Sequence, residues 1–174
     1  MVVTGGRKAF GSELKSSEVF VKGAFKNFNL ELPYNKYGHS IVHIPKSHQR
    51  EERFILSHEK NIYEWNGKAN GSGWKKIDFE LREKRYGHTS FYMDEEIIVA
   101  GGTGWSQRSS EIVSLKEKRT EVGPPLPVDF WRRGTSLKDR FGRYLILGGD
   151  YETESVMEYK NKKFEIVEGV KLKV

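Results

Sequence analysis

Histidine is the residue type in this sequence best suited to acid–base or metal chemistry near neutral pH. The sequence contains no His-Glu-x-x-His zinc-binding motif. His39 and His88 each follow a Tyr-Gly dipeptide, which favours a structural hydrogen-bonding role over a ligand role. The sequence therefore predicts no metal site and no cofactor. The five histidines are His39, His43, His48, His58 and His88.

Composition and local pattern limit two other kinds of chemistry. The sequence has no cysteine, which excludes disulfides, cysteine-ligated zinc and thiol nucleophiles and fits a cytoplasmic protein. The run Gly101-Gly102-Thr103-Gly104 has the glycine content of a phosphate-binding loop. It ends an apolar run and is not followed by Lys-Ser or Lys-Thr, so a strand end is the better interpretation. We expect no catalytic residues and no enzymatic activity.

The charge of the chain says little about its partners. The formal net charge is +6 and the pI is near 9.4, but acidic residues interrupt most of the basic groups, as in Arg82-Glu83-Lys84-Arg85. A solvated surface of mixed charge is therefore favoured over a nucleic-acid groove. No apolar stretch approaches the roughly 20 residues of a membrane helix. We expect neither a nucleic acid nor a membrane as partner.

The elements that would position any site are repeated along the chain. A Gly-Gly pair ends an apolar run three times, and 47 positions separate Gly101 from Gly148. A tetrad with a central glycine recurs at a similar period and opens the next apolar run. Ser57-His58 stands where the second unit would have its Gly-Gly pair. The pairs are Gly5-Gly6, Gly101-Gly102 and Gly148-Gly149, and the tetrads begin at Tyr37, Tyr86 and Arg133, with their glycines at Gly38, Gly87 and Gly134.

Further markers complete each unit. A Ser-Glu pair opens the apolar run after the glycines at Ser17-Glu18 and Ser110-Glu111, and an aromatic residue such as Trp74 stands near the end of the unit. Each unit holds four short runs of strand length and strand composition, separated by turn residues. Four-stranded units at a period near 50 predict the blades of a β-propeller. The units span about 1–33, 34–81, 82–127 and 128–174.

This combination of Gly-Gly strand ends, downstream Ser-Glu markers and terminal aromatics resembles the kelch-repeat family over essentially the whole chain. The resemblance implies an all-β propeller arc of about four antiparallel blades. The first unit begins at its Gly-Gly strand, so we expect the first blade to be incomplete and the ring to be open. Residues 168–174 resemble a link into a further blade; alternatively, they supply the missing strand and close a four-bladed ring. An open arc should be poorly stable or self-associate.

The resemblance implies that the loops after the glycines and the links between units share one partner-binding face. Exposed aromatic and arginine side chains are typical interface anchors. Trp131 could equally pack between blades. The residues predicted to bind a partner are Trp105, Arg108, Tyr151, Trp131 and Arg132.

We therefore expect a non-catalytic interaction module, a scaffold or substrate-recognition segment for a protein partner. Kelch rings often accompany ubiquitin-ligase adaptors or bind actin, and the resemblance alone connects this chain with either role. The alternative is a fragment of a propeller enzyme acting on a sugar. A cluster of histidines and carboxylates at the ring centre would favour the enzyme, whereas a loop face with exposed tryptophan and arginine would favour binding.

Overall fold

The protein is built from β-strands. The computed structural model describes residues 2–7, 13–28, 30–34, 37–47, 50–68, 73–103, 107–131, 134–149 and 154–172. Within these ranges there are fifteen strands and no helix, and hence no helix able to cross a membrane.

The strands form four antiparallel sheets, each of which takes its strands in sequence order. The first sheet has three strands and the other three have four. The first sheet contains β1 (Val2–Arg7), β2 (Glu13–Val21) and β3 (Ala24–Phe28). The second contains β4 (Ser40–Ile44), β5 (Arg53–His58), β6 (Asn61–Trp65) and β7 (Lys75–Lys76). The third contains β8 (Thr89–Met93), β9 (Glu96–Ala100), β10 (Ser110–Ser114) and β11 (Arg119–Val122). The fourth contains β12 (Thr135–Lys138), β13 (Tyr144–Leu147), β14 (Ser155–Lys160) and β15 (Lys163–Lys171).

This arrangement confirms the predicted all-β arc of blade-like sheets with a shorter first sheet. One detail of the prediction is wrong. β1 runs through Gly5-Gly6 to Arg7, with a register shift between Thr4 and Gly6, so the first glycine pair does not end its strand. A bulge lets the extra residue stay within the strand.

The tail differs from the alternative prediction that it completes the first sheet. Residues 168–171 continue β15 at the outer edge of the fourth sheet, where Ser155 pairs with Lys171. They add no strand to the first sheet, so the four-bladed closed ring is not formed by these residues. A register shift between Ser155 and Met157 accommodates the extra length, and Gly169 has a positive φ of 73°.

Among the described residues, one hydrophobic core lies between the second and third sheets and another between the third and fourth. In β9, Ile97 to Ala100 are all buried, because both faces of the third sheet are covered. Alternate side chains of β9 enter different cores: Ile97 and Val99 face the second sheet, and Ile98 and Ala100 face the fourth. This dual burial explains why the run is continuously apolar.

The first strands of successive four-stranded sheets lie side by side. β8 is in contact with both β4 and β12. Ser40 Oγ and Ser90 Oγ are 2.5 Å apart, and Ser136 Oγ donates to the Ser90 carbonyl at 2.8 Å. β4, β8 and β12 are therefore the innermost strands of the arc.

A leucine beyond the last strand of each sheet marks the exit of the chain. Its backbone N–H donates to a carbonyl near the start of the sheet's penultimate strand, at 2.8–2.9 Å in all four sheets. The first three leucines are buried and the fourth is partly exposed. The pairs are Leu32 with Lys15, Leu81 with Lys60, Leu126 with Arg108 and Leu172 with Glu154.

The central glycines permit close approach between units. Gly87 N donates to Gly38 O at 2.7 Å, joining the first and second tetrads directly. A Cβ on Gly101 would lie 2.4 Å from Phe130 Cδ1 and 2.6 Å from the Phe130 carbonyl oxygen. Gly101 also has a φ of +68°, so both space and backbone conformation require glycine there.

Candidate interaction face

One end of the third sheet carries a loop that is held between two links. Thr103 N donates to Tyr86 O at 2.9 Å, and Gly102 N donates to Phe130 O at 2.9 Å. Phe130 N in turn donates to Gln107 O at 3.0 Å. These bonds join the loop after β9 to the links on either side of its sheet. We call residues 82–87, 101–103, 107–109 and 126–131 the loop face.

A buried arginine anchors the loop face. The Arg85 side chain is fully buried, and its Nε donates to Glu111 Oε1 at 2.9 Å. Its guanidinium also donates to the carbonyl oxygens of Gly101 at 2.9 Å and Ser109 at 3.1 Å. One side chain therefore connects the end of β9, the start of β10 and a link.

The carboxylate of Glu111 also accepts several hydrogen bonds. It accepts the backbone N–H groups of Arg82 at 2.6 Å and Glu83 at 3.1 Å, in addition to Arg85 Nε. Full hydrogen bonding is the condition under which a buried ion pair is tolerated. Sequence reasoning placed Arg85 in a solvated basic group, which is wrong. Two repeat markers could have indicated this ion pair. Arg85 directly precedes the Tyr-Gly-His marker, and Glu111 is the glutamate of the Ser-Glu marker.

The loop face also presents an exposed ion pair. Arg108 Nε donates to Asp129 Oδ1 at 2.7 Å, and their side chains are 61% and 62% exposed. The pair bridges the loop and the link that follows β11. Exposed pairs of this kind add little stability, so both groups can exchange partners at small cost.

The other residues predicted to bind a partner have different positions. Trp131 is partly buried at the end of the same link, next to the buried Phe130. Trp105, Tyr151 and Arg132 lie outside the described residues. The structure thus brings Arg108 and Trp131 to the loop face. Trp74 lies elsewhere, directly before β7 of the second sheet, with its ring centroid 6.1 Å from that of Trp65.

An aromatic cluster lies where the second sheet meets the links. The Tyr34 ring stacks on His58 with centroids 4.3 Å apart, and Tyr86 meets His58 edge-on at 5.4 Å. Tyr86 Oη donates to Glu59 Oε1 at 2.5 Å. Burial, reinforced by Tyr63 and Glu59, raises the pKa of the Tyr34 hydroxyl far above its usual range. Tyr34 is accordingly a neutral phenol.

His88 is a buried member of the same region. Its Nε2 lies 2.8 Å from Ser57 Oγ, within hydrogen-bonding distance. Burial, followed by the nearby positive charge of Arg85, lowers the pKa of His88 to about 3. The imidazole is therefore neutral near pH 7 and bridges the second and third sheets. Among the described residues, no group of three or more histidine and carboxylate side chains has the arrangement of a metal site.

Comparisons with known proteins bear on the fold. No family model and no curated protein sequence matches the chain. Among solved structures, the chain is similar to one titled "Structure of YjhT", with a TM-score of 0.61 and 10% sequence identity. The match covers 78% of this chain and 52% of that one, so this chain spans about half the length of the YjhT structure. The fold of this chain is therefore an open succession of blade-like antiparallel sheets of a kind present in known structures.

Proposed function

We propose that the chain is a kelch-type interaction module that binds a protein partner through the loop face without catalysing a reaction. The main support for this proposal is that a buried ion pair holds the loop in place while a second ion pair on the same loop is exposed to solvent. Arg85 and Glu111 fix the loop from beneath with a buried network, while Arg108 and Asp129 stand in solvent above it. A rigid frame that presents exposed side chains is the usual construction of a recognition surface.

Arginine is a favoured anchor in protein interfaces because its planar guanidinium forms several directed hydrogen bonds. The exposed ion pair of Arg108 with Asp129 contributes little stability. An acidic group on a protein partner could therefore replace Asp129 as the partner of Arg108. Trp131, next to the buried Phe130, would supply apolar area at the edge of this contact. The resemblance to kelch repeats extends the proposal to a cytoplasmic scaffold or substrate-recognition role, including ubiquitin-ligase and actin connections.

The test is a quantitative pulldown with the folded chain and two charge-reversal variants. Arg108→Glu should reduce recovery of the partner at least about tenfold, since an interface arginine contributes on the order of 2 kcal/mol. Arg119→Glu is the matched control, because Arg119 is also exposed and ion-paired, to Glu117, but lies on β11. Equal recovery with wild type and Arg108→Glu would contradict the proposal.

A second candidate function is a sugar-directed enzyme, favoured by the cluster of Tyr34, His58, Tyr86 and Glu59 with His88 nearby. Glu59 is the carboxylate of this cluster, and it is partly exposed. Under this alternative, wild-type protein would convert a reducing sugar in a panel followed by proton NMR, and Glu59→Gln would not. Two results together would replace the first proposal with this one: loss of sugar conversion in Glu59→Gln, and unchanged recovery of the partner with Arg108→Glu.

A further inference from the structure

A polar groove lies between the second and third sheets, at the end of β9 opposite the loop face. Glu95 directly precedes β9 and Gly101 directly follows it, so the groove and the loop face lie at opposite ends of that strand. The volume of the groove is about 650 Å³, which is in the range of small-molecule binding pockets. Three cationic side chains and two carboxylates are among the residues that line it. They are Arg50, Arg53, Lys116, Glu51 and Glu95.

Three donors already hold one carboxylate in this groove. Arg50 binds the Glu95 carboxylate through two nitrogen atoms, with Nη1 2.7 Å from Oε2 and Nη2 2.6 Å from Oε1. Tyr92 Oη donates to Oε1 of the same carboxylate at 3.0 Å. The Arg50 guanidinium also lies over the Tyr92 ring, 5.5 Å from its centroid. Arg50 and Tyr92 together form a receptor with the geometry that a carboxylate requires.

The two partners of this ion pair differ in exposure. The side chain of Arg50 is 21% exposed, whereas that of Glu95 is 70% exposed. A mostly buried guanidinium requires an anion, but an exposed carboxylate is readily hydrated when it is released. The Glu95 backbone stays in the turn between β8 and β9, where Met93 pairs with Glu96, so only the Glu95 side chain has to move. Another carboxylate can therefore replace that of Glu95 at small cost.

A second cation lies near this receptor. Hydrogen bonding by Arg50 is the main cause that lowers the pKa of Glu95, and the charge of Lys116 adds to the effect. Lys116 follows β10 and is exposed, so its amine can turn towards a bound anion. The other carboxylate of the groove, that of Glu51, is 68% exposed and lies 3.8 Å from Lys46 Nζ. Once Glu95 has moved out, the cations of the groove exceed its carboxylates.

The two arginines of the groove also have hydrogen-bond donors to spare. Arg50 and Arg53 each have a buried Nε without a hydrogen-bond partner among the described residues. Arg53 is otherwise paired with Glu64, at 3.1 Å between Nη1 and Oε1. A buried donor without an acceptor is destabilising, and a ligand oxygen that reached it would remove that cost. The groove thus offers donors beyond those that hold the first carboxylate.

We propose that this groove binds a small molecule with two or more carboxylates, and that Glu95 occupies the first carboxylate position until the ligand displaces it. Arg50 and Tyr92 hold one carboxylate of the ligand, while Lys116 and Arg53 attract the next. The volume of the groove and the low exposure of Arg50 favour a small molecule over the surface of a macromolecule. The site is separate from the loop face and does not depend on the function proposed for that face.

Titration of the isotopically labelled chain with citrate, at constant pH and ionic strength, tests the site by NMR. Citrate should shift the amide signals around Arg50 and Glu95 and leave those of the loop face unchanged. Glu95→Gln should bind citrate about threefold more tightly or better, because the ligand then displaces no ion pair. Arg50→Gln should bind citrate at least about tenfold more weakly, because it loses a charged donor. Opposite effects distinguish a site that Glu95 occupies from a purely structural ion pair, whose two partners would act alike.

Arg108→Gln is the matched control, because Arg108 also belongs to an ion pair but lies on the loop face. It should bind citrate as wild type does. Acetate, which has one carboxylate, should bind to wild type at least about tenfold more weakly than citrate. Far-UV circular dichroism verifies that each variant is folded. Arg50→Lys, which keeps the charge but not the paired hydrogen bonds, replaces Arg50→Gln if that variant does not fold.

Four results would overturn the proposal. The first is that citrate binds neither to wild type nor to Glu95→Gln. The second is citrate binding that survives the substitution of Arg50 unchanged. The third is a Glu95→Gln variant that binds citrate no more tightly than wild type does. The fourth is equal affinity for acetate and citrate, which would show that the groove holds a single carboxylate only.

Discussion

Arg85 brings a positive charge into the interior and meets a complete set of acceptors there. Its partners include a carboxylate and two backbone carbonyls, and its side chain is fully buried. Removing one partner of such a pair leaves the other charged and desolvated, which costs far more than the pair itself contributes. The effect of a substitution at this position therefore depends mainly on what happens to Glu111.

Arg85→Met should lower the free energy of unfolding by about 3–5 kcal/mol, because it leaves the buried Glu111 carboxylate without its counter-ion. Arg108→Met, which breaks an exposed pair, should cost less than about 1 kcal/mol. Urea unfolding of both variants at one pH measures the difference. Similar losses for the two would show that the burial of Arg85 does not govern its contribution.

His88 should make stability depend on pH. Its folded-state pKa is lowered to about 3 by burial, whereas an unfolded histidine has a pKa of about 6.5. As pH falls below about 6.5, the unfolded chain binds a proton that the folded chain does not. Stability from this group is complete above that pH and decreases by up to about 1.4 kcal/mol per pH unit down to about pH 3.

The measurement is the unfolding free energy of wild type and His88→Gln at about pH 7.5 and about pH 5.5. The variant should lose less stability over this interval than wild type. His43→Gln serves as the control, because His43 is an exposed histidine on β4. A wild-type slope that survives in His88→Gln would assign the pH dependence to other groups.

At the level of elements, glycines at strand ends and turns differ in how much space a Cβ would have. Gly101 has Phe130 packed over its Cα, whereas a Cβ on Gly23 would have no atom within 4 Å. Both residues have positive φ, at 68° and 82°. The two positions share the conformational requirement and differ in the available space.

Gly101→Ala should therefore destabilise the protein by more than Gly23→Ala. The Gly23 variant pays only the left-handed backbone strain, on the order of 1 kcal/mol. The Gly101 variant adds a collision with the Phe130 carbonyl, which brings the loss to several times that amount. Thermal unfolding of the two variants gives the comparison, and equal losses would refute the importance of the close approach.

The strands could be predicted from the sequence, but the burial of Arg85 could not. Short apolar runs separated by turns, with glycine pairs after Ala100 and Leu147, predicted strands that end there. Local pattern could not separate Arg85 from its exposed neighbours Arg82 and Lys84, because burial of a charge depends on a carboxylate supplied by another strand. It also missed the continuation of β15 through Gly169, where a bulge absorbs the extra residues.

At the level of the whole molecule, the sheets differ in how many of their faces are covered. The third sheet is packed on both sides, and the fourth is packed on one side within the described residues. Local opening is least favourable where most apolar contact must be broken. Stability should therefore be highest in the middle of the arc and lower in its last sheet.

Native-state hydrogen exchange in dilute solution should show this gradient. The amides of β9, a central strand of the third sheet, should exchange more slowly than those of β13, which has the same place in the fourth sheet. Both strands pair on both edges, so the comparison isolates the covering of the faces. Equal protection of β9 and β13 would mean that the fold opens as one unit.

The order of strands within each sheet has a consequence for biosynthesis. Every hydrogen-bonded neighbour of a strand is also its neighbour in sequence. Pairing therefore requires closure of short segments only, which removes the long-range step that slows many β proteins. During translation, all strands of one sheet would emerge from the ribosome before the first strand of the next sheet. The direction of translation is then also the direction in which the arc is assembled.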